Sequence, residues 1–115
     1  MKILIADDDA EYRKSIEEVF EGGGHTTITA DDGQAAILSY RKNKNIDLVI
    51  TDYNMPKENG LAVILEIREI EPKARIWFVS NAMNNEVKNL ALKLGADKAV
   101  QKSEFKKELR NFLEQ

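Results

Sequence analysis

The chain has 115 residues, enough for one domain that buries roughly two thirds of the surface its unfolded form exposes. With 43% hydrophobic and 32% charged residues, a net charge of -3 and no apolar run near the roughly 20 residues that cross a bilayer, the composition disfavours both a membrane span and a basic nucleic-acid surface. Cysteine is absent, which excludes disulfides and thiolate chemistry, and the start MKILIADDD lacks the pattern of a secretory signal, so a cytoplasmic protein is expected.

Apolar runs alternate with stretches of helical period along the whole chain, the pattern of βα units around a parallel sheet. A first strand is predicted over 2–6 and runs into three acids, Asp7, Asp8 and Asp9. Asp9 is the expected N-cap of a helix whose inner stripe is Tyr12, Ile16, Val19 and Phe20, stopped by Gly22 to Gly24. A strand over 26–30, a helix over about 33–42 and a strand over 47–51 follow, the last running into Asp52. A helix over about 60–70 ends before Pro72, and a strand over 75–80 ends in Ser80. Val87, Leu90, Ala91 and Leu94 recur at helical spacing, with Gly95 as C-cap. A strand over 98–101 leads into Lys102, and Phe105, Leu109 and Phe112 mark the inner face of a last helix.

Five such units commonly arrange as a doubly wound sheet of order 2-1-3-4-5, with the ligand crevice outside the C-terminal strand ends near the switch point between strands 1 and 3. Asp7, Asp8, Asp52, Ser80 and Lys102 all fall at that edge. Carboxylates that crowd together repel, so they protonate or recruit a cation. Magnesium suits them, because it takes one or two carboxylates and leaves positions for phosphate oxygens. Asp52 can then act as a nucleophile toward a phosphoryl group, with Lys102 and the Ser80 hydroxyl meeting the phosphoryl oxygens.

Other positions read more plainly. His25 is expected to be a solvated loop residue, Met55 to pack its loop, and Trp77 to belong to the core. Arg41 to Lys44, and Lys106, Lys107 and Arg110, are expected to be wet helix surface. Gly22 to Gly24 follow a helix and lack the GxGxxG and GKS/T forms, so no nucleotide loop is expected.

These features resemble the receiver domain of two-component response regulators, in its chemotaxis-regulator-like single-domain form, over essentially the whole chain. The run ILIADDD resembles the family's acidic pocket and VITDYNMPKENG its phosphoacceptor loop, with Ser80 and Lys102 following at matching spacing. The resemblance implies a flavodoxin-like α/β fold with five helices, spanning 1–115 as a single receiver domain without an output domain. It implies Asp52 as phosphoacceptor, and Mg2+ (or Mn2+) held by Asp8, Asp52, the Asn54 main-chain carbonyl and, through water, Asp7. A histidine kinase or histidine phosphotransfer protein would be the donor. Helix 4, strand 5 and helix 5 would meet a downstream protein target, without direct nucleic-acid or membrane contact. The chain would not be a multiple-turnover enzyme.

Three positions depart from the family pattern. Asn81 stands where a small residue is usual, Ser103 replaces the proline after the lysine, and Ala99 replaces the switching aromatic. A trans Lys102–Ser103 bond is expected, since a cis bond without proline costs roughly 2.5 to 4 kcal/mol. The departures motivate a second reading, a pseudo-receiver that binds proteins without a phosphorylation switch. A third, an aspartate-nucleophile phosphatase of the haloacid-dehalogenase kind, fares worse, because Asn54 stands where its second aspartate is expected.

Overall fold

A computed structural model describes residues 1–115. In chain order it runs β1 Lys2–Ala6, α1 Ala10–Gly22, β2 Thr26–Ala30, α2 Gly33–Lys42, β3 Leu48–Asp52, α3 Gly60–Ile70, β4 Ile76–Ser80, α4 Asn85–Leu94, β5 Lys98–Gln101 and α5 Lys102–Leu113. The strands form one parallel sheet in the order β2-β1-β3-β4-β5, as the alternating pattern predicts.

Helices cover both faces because side chains alternate across each strand. Ile3, Ile5, Leu48, Ile50, Trp77 and Val79 point to the side closed by Ile16 and Phe20 of α1 and Phe105 and Leu109 of α5. Leu4, Ala6, Val49, Ile76 and Phe78 point to the opposite side, closed by Ala36 of α2, Val63, Ile64 and Ile67 of α3 and Ala91 of α4. Trp77 is buried as expected, edge-on to both Phe105 and Phe112.

The structure moves four expectations. β3 begins at Leu48 because the Asp47 carboxylate is spent on the Lys2 amide, accepting at 2.8 Å, and Asp52 becomes the last strand residue. β4 begins at Ile76, while Arg75 lies over the Phe112 ring at 5.4 Å from its centroid. Leu90 is 43% exposed and falls outside the inner stripe of α4, whose buried residue is Ala91. His25 is half-buried, edge-on to Phe20, and its Nδ1 lies 2.8 Å from the Met1 amino group. Met1, His25, Phe112, Leu113 and Gln115 border one hollow at the strand-start side of the sheet.

Candidate functional site

Parallel strands deliver their C-terminal ends to one edge, so the acids after β1 and at the end of β3 meet by topology. The register pairs Ala6 with Thr51, which sets Asp7 beside Asp52. Both are buried, at 3% and 7% exposure, whereas Asp8 is exposed. Carboxylate oxygens of Asp7, Asp8 and Asp52 all lie within 4.8 Å of one another. At such distances each ionised pair repels by about 3 to 4 kcal/mol at an effective dielectric near 20. The cluster is built of hard oxygen donors with an exposed member open to water, which suits a small divalent cation that keeps part of its hydration.

Local hydrogen bonds fix the acids. Asp7 accepts from the Asp9 amide at 2.8 Å, and its carbonyl accepts from Arg13 Nη1 at 2.7 Å. Asp9 is the N-cap of α1, accepting from the Glu11 and Tyr12 amides, as its place before the helix predicts. Asp52 Oδ1 accepts from the Tyr53 amide at 2.8 Å. The following loop turns tightly enough that a Cβ on Gly60 would sit 2.0 Å from the Asp52 carbonyl oxygen, so only glycine lets α3 start there.

Lys102 enters from the end of β5. Its Nζ lies 3.0 Å from Asp7 Oδ2 and 3.4 Å from Asp52 Oδ2, with all three side chains nearly inaccessible. Ser80 ends β4, fully buried, and its Oγ accepts from the Ala82 amide at 3.1 Å. Asn54 lies exposed in the loop that follows Asp52, two residues on. The five side chains expected to converge are thus brought to one edge of the sheet, and Lys102 touches both buried acids. The Lys102–Ser103 bond is trans, and Ala99 is buried against the α4 side of the sheet.

The pocket biases its own protonation. Burial first, and then the nearby Asp7, push the Asp52 carboxyl up to about 6, although Lys102 and the Tyr53 amide pull the other way. For Lys102, burial opposes the charge, yet hydrogen bonding and attraction to Asp7 and Asp52 outweigh it and raise the ammonium above its ordinary value.

Asp52 is therefore a group whose folded value lies above its unfolded one. The stability it contributes is complete below pH of about 4 and is lost as pH rises through about 6. Mg2+ is expected to raise the unfolding midpoint more at about pH 7.5, where Asp52 is ionised, than at about pH 5. Thermal melts with Mg2+ and with chelator at both pH values measure this. Equal shifts at the two would refute it.

Two residues of the site escaped the sequence reading. Tyr12 lies in the expected apolar stripe of α1, but its ring also sits under the Lys102 ammonium, 4.4 Å from Nζ to centroid. Its hydroxyl is buried without a hydrogen-bond partner, and burial, then Asp7 and Asp52, hold it strongly toward the protonated form. A tyrosine in place of an aliphatic residue one turn beyond an acid run was the available signal. The other is Gln101, whose side chain bonds the loop after Ser80.

The family model for the response regulator receiver domain matches residues 3–114. The aerobic respiration control protein ArcA of Escherichia coli K12 is 34% identical over 100 residues, which are 87% of this chain and 41% of ArcA. CpxR of the same strain is 33% identical over 96 residues, 84% of this chain and 40% of CpxR. The chain thus spans about two fifths of the length of these curated relatives. A receiver domain from Clostridium thermocellum superposes with a TM-score of 0.81 at 30% identity, covering 87% of this chain and 80% of that one. CheY in the CheX-CheY-BeF3-Mg+2 complex from Borrelia burgdorferi superposes with a TM-score of 0.88 at 26% identity, covering 97% and 88%. With the acid pair, the strand-end aspartate and the lysine clustered, and the serine at the same edge of a 2-1-3-4-5 sheet, the chain belongs to the response regulator receiver domain family.

Proposed function

We propose that residues 1–115 act as one phosphoacceptor receiver unit of a two-component or phosphorelay system, with Asp52 as the acceptor. The observation that carries this reading is the buried Asp52 carboxylate held between an acid cluster and the Lys102 ammonium. Asp8, Asp52, the Asn54 carbonyl and, through water, Asp7 would hold Mg2+ or Mn2+. When bound, the ion supplies positive charge that keeps the acids ionised and draws in phosphate oxygens.

The chain's own residues do the rest. An Asp52 carboxylate oxygen attacks the phosphorus of a phosphohistidine, forming a P–O bond while the P–N bond breaks and its electron pair returns to the imidazole. Lys102, already within 3.4 Å of Asp52, neutralises charge on the transferred group. Ser80 donates its hydroxyl proton to a phosphoryl oxygen. The donor is a sensor histidine kinase or a histidine phosphotransfer protein, and a downstream protein reads the changed surface of α4, β5 and α5. Leu90 and Leu92, exposed on α4, supply apolar contact there. The unit works as a signalling module and not as a multiple-turnover enzyme. A cytoplasmic site of action completes the proposal; no helix is long and apolar enough to cross a membrane.

The test is incubation with acetyl phosphate and Mg2+ followed by intact-mass and peptide-mass measurement. One phosphoryl group, labile to hydroxylamine and located on the peptide bearing Asp52, is the expected result. Magnesium binding without any such adduct would overturn the phosphoacceptor reading in favour of a protein-binding pseudo-receiver, the alternative that Asn81, Ala99 and Ser103 motivate.

A further inference from the structure

β4 and β5 end side by side, with Ser80 opposite Gln101 in the register. The groups assigned to the phosphoryl oxygens are therefore neighbours of this pair: Ser80 itself, and Lys102 directly after Gln101. The Gln101 side chain crosses to the β4–α4 loop and bonds it twice. Its Nε2 donates to the Asn81 carbonyl at 2.6 Å, and its Oε1 accepts from the Met83 amide at 3.2 Å. A primary amide carries both a donor and an acceptor on one flat group, which is what this pair of backbone partners requires. Asparagine has the same group but is one methylene shorter.

Between the two clamped residues lies Ala82, whose amide donates to Ser80 Oγ at 3.1 Å. A hydroxyl that accepts from a backbone amide still has its single proton to give elsewhere. Ser80 is fully buried, so the loop that supplies this amide also orients the hydroxyl. Ala99, two residues before Gln101, is buried and too small to reach this loop in place of the amide.

We propose that Gln101 is a positioning residue for phosphoryl transfer: its amide clamps the segment from Asn81 to Met83, so that Ala82 holds the Ser80 oxygen as an acceptor and leaves its proton for the phosphoryl group. The inference rests on the phosphoacceptor reading given above. It acts through backbone geometry, so its signature is a loss of rate without a loss of donor binding. It also assigns a task to the residue before the lysine, which lies outside the pocket proper.

Gln101→Met keeps an unbranched side chain of similar length and removes both bonds. With acetyl phosphate and Mg2+, its maximal labelling rate is expected to fall about tenfold with the apparent affinity for acetyl phosphate unchanged, less than the roughly hundredfold that an ångström of misplacement costs. Amide exchange at Ala82 and Met83 is expected to be slow in the parent and to accelerate in the variant. In a Ser80→Ala background the same substitution should change the rate less than about twofold, because the path through Ser80 is already gone. Parent-like labelling by Gln101→Met overturns the proposal, as does a full tenfold effect that persists without the Ser80 hydroxyl. If the parent takes no label, the phosphoacceptor reading fails and the positioning role of Gln101 in transfer fails with it. Amide exchange then still decides the clamp: fast exchange at Met83 in the parent removes it, and slow exchange lost in Gln101→Met retains it.

Discussion

An Asp52→Asn variant should take up no phosphoryl group from acetyl phosphate and should also be more stable than the parent at about pH 7.5 without metal. The first effect follows from chemistry, since an amide oxygen is a far poorer nucleophile than a carboxylate. The second follows from the pocket. Asp52 is buried beside Asp7, and its carboxyl is pushed up to about 6, so ionising it at neutral pH costs the folded state free energy. Asparagine keeps the acceptor that the Tyr53 amide uses and removes the charge, while Lys102 retains Asp7 at 3.0 Å. A gain on the order of 2 kcal/mol is expected, which shifts the unfolding midpoint upward by several degrees in a domain of this size. The gain should shrink toward pH 5, where the parent's Asp52 is itself protonated, and Mg2+ should stabilise the variant less than the parent. Thermal melts at both pH values, with intact-mass labelling, measure both effects. A label that survives on another residue would show that the acceptor is elsewhere, and a variant less stable than the parent would contradict the electrostatic account.

Lys102→Ala should move stability the opposite way. Its ammonium is the cation that pairs with both buried acids, and the three side chains are 8%, 4% and 8% exposed. Removing one partner of a buried pair leaves uncompensated charge, which costs about 3 to 5 kcal/mol in well-buried cases. Here that penalty should be largest at neutral pH without metal, and Mg2+ should recover part of it. The rate of labelling should still fall about a hundredfold or more even with saturating Mg2+, because a group that stabilises developing charge on the phosphoryl oxygens is gone. Denaturant unfolding with and without Mg2+ separates the two consequences. Labelling within about twofold of the parent would remove Lys102 from the chemistry. Unchanged metal-free stability would mean that the acids do not depend on it.

Much of this site is legible in the chain because parallel topology does the assembling. Once five apolar runs alternate with five helical stretches, the residues after each run share one edge, and Asp7, Asp52, Ser80 and Lys102 need only be read off the ends. What escapes depends on contacts between elements that no periodicity encodes. Tyr12 fits an apolar stripe, and nothing local reveals that Lys102, ninety residues on by sequence number, ends above its ring. Gln101 looks like an ordinary end of a strand until the loop from Asn81 to Met83 is seen beside it. The strand boundary at Leu48 slipped by one because Asp47 serves a neighbouring strand's amide, a pairing set by sheet order. Leu90 fits helical spacing, but α4 turns a narrower inner face to the sheet than its leucines suggest.

Where the chain enters and leaves the molecule has a practical consequence. Met1 precedes β1 while Asp7 follows it, and Met1 shares its hollow with Phe112, Leu113 and Gln115. Affinity tags or fluorescent reporters joined at residue 1 or residue 115 therefore attach at the pole remote from the carboxylates. The same closeness would let a short peptide join old head to old tail, with new ends cut at an exposed bend on the strand-start side such as that around Lys73, giving a circular permutant that keeps the sheet order intact.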